Sequence, residues 1–315
     1  MSAMRVSVLI PTYRYAGYLR EALDSVLAQD FADFELLVSD DCSGDGSAEI
    51  IREYAARDAR IRAHVHPENI GMVQNWNWCL AQARGEFVKY VFGDDLLARP
   101  DAIGKMVAML EAHPAAVLAA CARNVIDEKS RVVEVSSGLG SSGVHPAAET
   151  MLRCLEEGNV IGEPTAVMFR RSAAARGFSE SYEQMVDLEM WLHLLGCGPL
   201  IHTAEPLCGF RRHPLQRTEA NREKGTHGRE LLRLMLDYGA SPILAGGDTR
   251  GIIFRRLYKS RKAAGDDPAL AAAREQLLDR LGRLAYCVRW LGKKFLNPFT
   301  ALARRASGKK RDRRD

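Results

Sequence analysis

The chain has 315 residues, of which 47% are apolar and 27% charged, a composition typical of a globular protein with ample length for a buried core. Its longest apolar run, Ala115–Ala122, is far shorter than the roughly eighteen residues of a spanning helix, and its start does not fit a secretory signal, so we expect a cytoplasmic protein. The net charge of +4 is uneven: residues 280–315 carry twelve Lys or Arg and two Asp, a local +10, which leaves −6 for residues 1–279.

The first hundred residues alternate between two periodicities. Short apolar runs predict strands at Val6–Ile10, Phe34–Val38, Ile61–Val65 and Glu86–Phe92, and helical spacing predicts helices at Gly17–Ala28, Ser47–Ala56 and Met72–Ala83. Strict alternation of strand and helix indicates right-handed crossovers onto a mostly parallel sheet with helices on both faces. The sequence therefore predicts an α/β architecture, in which ligands bind beyond the carboxyl ends of the strands.

Beyond residue 95 the alternation is less regular. The patterns predict a helix at Pro100–Ala112, a buried strand at Ala116–Val125, a flexible loop at residues 136–143, a strand at Thr165–Arg170, a helix at Asp187–Leu195 and a strand at Leu207–Arg212. From about Asn221 onward the pattern is helical and rich in Arg, Leu and Ala.

The seven cysteines are odd in number and scattered along the chain. They stand at positions 42, 79, 121, 154, 197, 208 and 287, and no two of them form a CxxC pair. This distribution suggests neither a disulfide framework nor a zinc site. We expect them to be reduced residues that serve in packing.

Two acidic pairs follow predicted strands. Asp40-Asp41 comes after the second strand and Asp94-Asp95 after the fourth, so both pairs should lie on one rim of the sheet. Adjacent carboxylates repel each other, and a divalent cation such as Mg²⁺ or Mn²⁺ would compensate them. A solvated turn explains the same residues, because Gly-Asp-Asp is also good turn chemistry. The residue types alone leave both interpretations open.

Four blocks in series carry a resemblance to a known family. They are residues 6–47, with LIPTYRYAGYL and LLVSDDCSGDGS; residues 68–97, with FGDD; the segment VDLEMW from Val186; and the segment FRRHP from Phe210. In this order and spacing they resemble the family 2 glycosyltransferases of the GT-A fold, in their non-processive bacterial form. The resemblance implies a Rossmann-like mixed sheet flanked by helices, followed here by a C-terminal helical extension.

The resemblance also implies a site. The nucleotide of a nucleotide-diphosphate sugar would contact Pro11, Thr12, Tyr13 and Asp41, with Asn77 as a supporting residue. Asp94 and Asp95 would hold Mg²⁺ or Mn²⁺ on the diphosphate, with His213 as a further ligand and Arg211 closing over the diphosphate. Asp187, four residues before Trp191, would be the general base.

The chain departs from the family pattern at two places. The family commonly has an aspartate two residues before the acidic pair, where this chain has Phe92, so one possible metal ligand is missing. The Gln-x-x-Arg-Trp element of processive members is absent. We therefore expect one sugar transfer per encounter and an uncertain number of protein ligands on the metal.

Alternative interpretations exist for the site and for the whole protein. Asp187 is also explained as a helix-start carboxylate that interacts with the helix dipole, and His213 as an exposed strand-end histidine. A sugar-nucleotide nucleotidyltransferase and a non-catalytic binding protein of the same fold are the rival functions. The former needs a Gly-rich phosphate loop with a base near the first strand, and the segment PTYRYAGY lacks one.

The basic end has an amphipathic pattern. Apolar residues recur at steps of three and four from Leu277 to Phe295, and seven bases follow within residues 304–315. The pattern fits a helix on an anionic membrane surface, which would suit a lipid-linked acceptor. Packing on protein and a solvated tail are the alternatives. Nucleic-acid binding is disfavoured, because the tail lacks interleaved aromatic residues.

The sequence thus predicts an inverting, metal-dependent glycosyltransferase. Residues 1–115 would form the nucleotide-sugar-binding half of the GT-A domain, 116–220 the acceptor-binding half, 221–303 a helical extension and 304–315 a basic disordered tail. The expected donor is a nucleotide-diphosphate sugar, with a UDP-sugar favoured, and the acceptor is a carbohydrate or a lipid-linked molecule. Cell-surface polysaccharide or glycolipid assembly is the expected role, in the cytoplasm or on the inner face of the membrane.

Overall fold

The fold is described from a computed structural model, in which residues 4–214, 216, 226–239, 241–244 and 268–281 are described. The chain forms two compact units, Met1–His227 and Gly228–Asp315. All of the strands assigned among these residues belong to the first unit.

The first unit is built on one ten-stranded mixed sheet. Its strands are β1 (Val6–Thr12), β2 (Phe34–Asp40), β3 (Ile61–Val65), β4 (Phe87–Tyr90), β5 (Leu96–Leu97), β6 (Leu118–Ile126), β7 (Val132–Ser136), β8 (Gly143–His145), β9 (Val167–Arg170) and β10 (Leu200–Arg211). The order along the sheet is β3-β2-β1-β4-β9-β6-β10-β5, with β7 paired to β6 and β8 paired to β10. The mixed α/β sheet expected from the sequence is confirmed.

Helices cover the sheet through their apolar stripes. In the first unit they are α1 (Ala16–Leu27), α2 (Ser47–Ala55), α3 (Met72–Gln82), α4 (Ala102–Ala112), α5 (Ala147–Glu157) and α6 (Val186–Leu195). Two further helices are described, α7 (Thr226–Tyr238) and α8 (Pro268–Leu281). In α1 the buried residues Leu19, Leu23 and Val26 recur at steps of four and three, which places them on one face. That face packs with the buried strands β1 and β2 in the main core.

The sheet directions bring several strand ends to one rim. β1 runs parallel to β2 and β4, whereas β9 runs antiparallel to both β4 and β6. Two reversals restore the direction, so β6 and its parallel neighbour β10 point the same way as β1. The ends of β1, β2, β4, β6 and β10 therefore lie on one rim, together with the start of β9.

Several elements differ from the sequence expectation. The structure adds β5, β7, β8 and α5, and it extends the last predicted strand back to Leu200. The segment 137–142 is a loop, as expected, but it is tied down rather than loose, because Leu139 is buried and Arg153 donates to the Gly138 carbonyl at 2.9 Å. β7 has the sequence VVEVS and no buried face, so it lacks the apolar and polar alternation that predicts a half-buried strand.

The remaining expectations concern cysteines and the C-terminal end. Cysteines 42, 79, 121, 154, 197 and 208 are unpaired thiols, four of them buried, and Cys287 lies outside the described residues. None of the helices described combines the length and the apolar character that crossing a membrane requires. Only the first residues of the predicted amphipathic stripe fall within α8, and the basic tail lies outside the described residues.

Candidate active site

The nucleotide-binding residues proposed from the sequence lie at the ends of β1 and β2. The Asp41 backbone N–H donates to the Thr12 carbonyl at 3.0 Å, which joins the two strand ends. The Asp41 carboxylate is buried and accepts backbone N–H bonds from Ile70 at 2.7 Å and Gly71 at 3.0 Å. Tyr13 is 39% exposed beside these groups. The structure therefore brings these residues together, with the Asp41 carboxylate in a fixed position.

The same two loops carry unusual backbone conformations. Arg14 and Cys42 have positive φ values of 60° and 57°, which side-chain-bearing residues rarely adopt. Ser43 holds the loops together, because its Oγ accepts the Arg14 N–H at 2.8 Å and donates to the Asp40 carboxylate. Asp40 is thus a structural brace, whereas Asp41 faces the neighbouring loop.

The second acidic pair lies beside His213. Asp94 Oδ2 is 3.1 Å from His213 Nε2, and both side chains are almost fully buried. Asp95 accepts the Arg211 backbone N–H at 2.9 Å and the Thr165 hydroxyl at 2.6 Å. Burial, reinforced by the Asp94 carboxylate, raises the pKa of Asp95 well above its usual range. The histidine expected as an exposed strand-end residue in the alternative interpretation is instead buried against Asp94.

The side-chain atoms of this cluster can be compared with the ligands that a divalent ion, which the resemblance implies, would need. Asp94 and His213 offer an oxygen and a nitrogen side by side, and His213 Nδ1 finds no hydrogen-bond partner among the described residues. Asp95 already uses both oxygens within the fold, and the described residues contain no cluster of three or more side chains arranged to hold an ion. Asp94 and His213 therefore fit a two-ligand site that substrate oxygens would complete.

Arg211, which the resemblance expects to close over the diphosphate, is engaged in a network of hydrogen bonds within the fold. Its side chain is fully buried, and its guanidinium donates to Glu21 at 2.6 Å, to the Asp94 carbonyl at 2.7 Å, and to the Asp127 carbonyl and Ser130 Oγ. Each of the three side-chain nitrogens therefore makes at least one hydrogen bond within the fold. These bonds join the Asp94 loop to α1 and to the hairpin between β6 and β7.

Asn77 also makes hydrogen bonds within the fold. Its side-chain amide donates to the Phe178 carbonyl at 2.9 Å and accepts the Phe178 N–H at 2.7 Å. This two-point bracket uses one N–H and the oxygen of the amide, and it ties Phe178 to α3. The expectation that Asn77 supports the site is compatible with this position.

Asp187 lies in the first turn of α6 and is partly buried. Its Oδ1 accepts the Leu188 N–H at 2.7 Å, and its Oδ2 accepts the Asn159 amide at 2.9 Å. Asn159 also donates to the Gly162 carbonyl, which accepts the Trp191 indole N–H at 2.9 Å. The four-residue spacing between Asp187 and Trp191 has a physical reason, because residues i and i+4 lie on the same face of a helix. Here both side chains make hydrogen bonds to the segment 159–162.

The environment of Asp187 is suited to proton transfer. Burial raises its pKa to about 7, and the nearby Glu163 carboxylate acts in the same direction, while the Leu188 N–H and the Asn159 amide oppose the shift. A carboxylate with a pKa near the operating pH is an effective general base, because it is ionised and yet basic enough to accept a proton.

Two charged residues near this site, Glu163 and Arg123, are not predicted from the sequence. Glu163 precedes the start of β9, and its Oε2 lies 2.5 Å from the Nε of Arg123 on β6. The only available signal was Glu163 in the segment GEPT, directly before a predicted strand. That β9 runs antiparallel, which brings its start to the rim, is a tertiary property that the local pattern does not contain.

Comparison with known proteins identifies the family. Residues 7–178 match the family model described as glycosyl transferase family 2. The chain belongs to this family. It is a glycosyltransferase that uses a nucleotide sugar. An uncharacterised protein of Mycobacterium tuberculosis is 32% identical over 239 residues, which cover 72% of this chain and 73% of that relative.

Solved structures of the same fold accompany this sequence match. The glycosyltransferase is similar to S. aureus TarS in complex with UDP-GlcNAc, with a TM-score of 0.65, 18% identity, and coverage of 88% of this chain and 80% of that one. It is also similar to a Pyrobaculum calidifontis mannosyltransferase in complex with GDP-Man and Mn²⁺, with a TM-score of 0.55, 19% identity, and coverage of 93% and 87%. The chain matches 73% of the length of the M. tuberculosis relative. It matches only 24% of the length of a second relative, an uncharacterised protein of Sinorhizobium fredii that is 30% identical over 227 residues. The GT-A fold expected from the sequence is therefore confirmed.

Proposed function

We propose that this glycosyltransferase moves one sugar from a nucleotide-diphosphate sugar to an acceptor hydroxyl with inversion at the anomeric carbon. The observation that carries the proposal is the partly buried Asp187 carboxylate, which Asn159 orients and whose pKa lies at about 7. In an inverting transfer, the acceptor hydroxyl attacks the anomeric carbon as the nucleotide diphosphate leaves. Asp187 would take the hydroxyl proton during that attack.

The residues around Asp94 would receive the leaving group. Asp94 and His213 would hold a divalent ion, Mg²⁺ or Mn²⁺, whose charge neutralises the diphosphate as it departs. Asp95 would support this pair, since Thr165 and the Arg211 backbone fix its carboxylate. Arg211 would keep the Asp94 loop against α1, and is proposed as a positioning residue rather than as a ligand of the diphosphate.

The base and ribose of the donor would lie on the loops after β1 and β2. Tyr13 offers an exposed ring, Thr12 Oγ1 is buried with no hydrogen-bond partner among the described residues, and Asp41 offers a fixed carboxylate. A UDP-sugar is the favoured donor, supported by the similarity to TarS, whose structure holds UDP-GlcNAc. The complex of the P. calidifontis mannosyltransferase with GDP-Man and Mn²⁺ supports the choice of ion and makes a GDP-sugar the donor to test against it.

Metal-dependent nucleotide binding gives the direct test. Thermal unfolding would be measured with UDP, dTDP or GDP, each with and without Mn²⁺. We expect one nucleotide with Mn²⁺ to stabilise the wild type by about 2.7 kcal/mol at a concentration of one hundred times Kd, and Asp94→Asn to lose the Mn²⁺-dependent part. Asp101→Asn, which removes a carboxylate paired with Arg99 outside the crevice, is the matched control. Equal stabilisation of the wild type with and without Mn²⁺ would contradict metal dependence.

The acceptor is proposed to be a carbohydrate or a lipid-linked molecule in cell-surface polysaccharide or glycolipid assembly. The support is the charge pattern of residues 277–315, whose bases and apolar stripe fit contact with the anionic inner face of the cytoplasmic membrane. Co-sedimentation with anionic liposomes should therefore fall when residues 277–315 are removed. Equal binding by the full and shortened chains would exclude this role for the basic end.

A further inference from the structure

One short segment connects the two halves of the proposed chemistry. At its first residue, Asn159 donates to the Asp187 carboxylate at 2.9 Å. At its last residue, Thr165 donates through its hydroxyl to the Asp95 carboxylate at 2.6 Å. We call residues 159–165 the bridging segment. Glu163 stands on it between these two attachment points, so its side chain originates between the proposed base and the proposed diphosphate site.

Glu163 is paired with a cation from a different element. Arg123 Nε lies 2.5 Å from Glu163 Oε2, with side-chain exposures of 13% and 27%, so both groups are largely removed from bulk water without being sealed in. These two atoms are buried, yet they make no aligned hydrogen bond among the described residues. The pair is thus held together by its charges, and the donor and acceptor capacity that it keeps for a ligand lies in the other guanidinium nitrogens of Arg123 and in Glu163 Oε1.

The backbone beside the pair is shaped for a close approach. Gly162 has a φ of +124°, and a Cβ at this position would lie 3.1 Å from Ala166 Cβ and 3.4 Å from an Arg123 guanidinium nitrogen. A larger residue would strain the backbone and press on Arg123. The absence of a side chain at this position lets the guanidinium lie against the bridging segment.

The position of the pair indicates which part of the substrate it meets. In a nucleotide-diphosphate sugar, the sugar is the group between the diphosphate and the attacking hydroxyl. The bridging segment runs in the protein from the Asp187 side, at Asn159, to the Asp95 side, at Thr165. Groups on this segment are therefore placed to meet the donor sugar rather than the nucleotide.

The charges of the crevice indicate what kind of sugar fits. Asp94, Asp95, Asp187 and Glu163 contribute four carboxyl groups, against the cation of Arg123 and the imidazole of His213. An anionic sugar such as a uronate would be repelled by Glu163 and would compete with it for Arg123. A neutral sugar offers hydroxyls that donate to Glu163 and accept from Arg123, and charge-assisted hydrogen bonds of this kind are the stronger ones.

We propose that Arg123 and Glu163 form the subsite for the donor sugar and select a neutral sugar over an anionic one. This inference rests on the proposed function and adds the substrate class to it.

The charge of Glu163 has a second consequence, because it contributes to the raised pKa of Asp187. The other ionisable groups around Asp187 are Arg123, through its pair with Glu163, and Cys154 on α5, whose own pKa responds to Asp187. Glu189 on α6 is neutralised by a two-point ion pair with Arg176.

The test compares affinity for the nucleotide with affinity for the nucleotide sugar. Kd would be measured for UDP, UDP-N-acetylglucosamine and UDP-glucuronate with Mn²⁺, or for GDP and GDP-mannose if the wild type binds GDP. In Glu163→Gln we expect an unchanged Kd for the nucleoside diphosphate and a Kd for the neutral nucleotide sugar that rises about tenfold, the loss of one charge-assisted hydrogen bond. The preference for the neutral over the anionic sugar should shrink by a similar factor.

Matched variants make the result specific. Glu157→Gln removes an exposed carboxylate from α5, where it pairs with Arg153, and should leave every Kd unchanged. Glu163→Asp keeps the charge but shortens the side chain, and should show the same selective loss if Glu163→Gln fails to fold. In Glu163→Gln the acid limb of the rate profile should also move to lower pH, because a negative charge near Asp187 has been removed.

The outcomes separate this subsite from the proposed function. If the wild type binds a nucleoside diphosphate but the sugar affects its affinity equally in wild type and Glu163→Gln, the subsite is wrong and the glycosyl transfer stands. If the wild type binds no nucleoside diphosphate, the proposed function and this subsite both fail. A wild type that binds UDP-glucuronate as tightly as the neutral nucleotide sugar would overturn the selection.

Discussion

Asp187→Asn is expected to lower turnover by about 10²–10⁴-fold, which is the range that a positioned general base contributes. Asparagine keeps the size of the side chain and its acceptor oxygen, so the bond from the Leu188 N–H can persist and the fold should be retained. What is lost is the ability to accept a proton. Binding of the nucleotide should be unchanged, since the loops proposed to bind it lie after β1 and β2. The measurement is transfer or hydrolysis of the nucleotide sugar beside a binding isotherm.

The same carboxylate predicts the pH dependence of the wild type. Because the pKa of Asp187 is about 7, its base form is depleted as the pH falls below that value, and the rate should drop along an acid limb. The sign is that of a base: activity is present above the pKa and is lost below it. The residual rate of Asp187→Asn should lack this limb.

Glu149→Gln is the control for the helix-dipole explanation of Asp187. Glu149 lies in the first turn of α5, just as Asp187 lies in the first turn of α6, so both can interact with a helix dipole. Removal of Glu149 should change stability by about 0.3–1 kcal/mol and leave turnover intact. Near-normal turnover in Asp187→Asn, or an equal loss in both variants, would remove Asp187 from the mechanism.

Arg211→Met is expected to destabilise the protein by about 2–4 kcal/mol. The fully buried guanidinium satisfies the carbonyls of Asp94 and Asp127, and a thioether replaces neither bond. The ion pair with Glu21 adds less, because Glu21 is 42% exposed and solvent screens it. For a unit of this size the loss corresponds to a fall in Tm of about 5–15 °C, measured by thermal unfolding.

Arg212→Met is the matched control, since it removes the same charge one residue along the chain. Arg212 is 60% exposed and pairs with Glu134 at 3.4 Å, so its loss should cost no more than about 0.5 kcal/mol. The difference between the two variants measures what the buried position contributes. Equal stability of the two variants would show that the Arg211 network does not hold the Asp94 loop in place.

Arg211 and Arg212 show what strand alternation predicts about side chains and what it does not. Alternation along a strand predicts that at most one of two adjacent arginines faces the interior, and the structure places Arg211 inside and Arg212 outside. The pattern does not say what the buried arginine meets. The partner, Glu21, is 190 residues away and comes from α1, so the pairing depends on how α1 packs beside the end of β10.

Asn77 and Glu163 show that local sequence patterns do not predict contacts between distant parts of the chain. Asn77 is expected to support the donor site, but the sequence does not predict its bracket on Phe178, a contact between residues 101 positions apart. Glu163 is not predicted at all, but it comes to the rim because β9 reverses direction between β4 and β6. Neither helix periodicity nor strand alternation encodes the direction of a neighbouring strand.

The sequence by itself determined the α/β alternation, the rim on which the acidic pairs lie, and the family. The first two follow from local periodicity and from the rule that parallel strands present their carboxyl ends together, which require only neighbouring residues. The family follows from the resemblance of four sequence blocks in their order and spacing. The tertiary structure alone decided that His213 pairs with Asp94, that Arg211 is a buried brace, and that burial and Glu163 raise the pKa of Asp187. Each of these depends on desolvation and on charges brought together from distant parts of the chain.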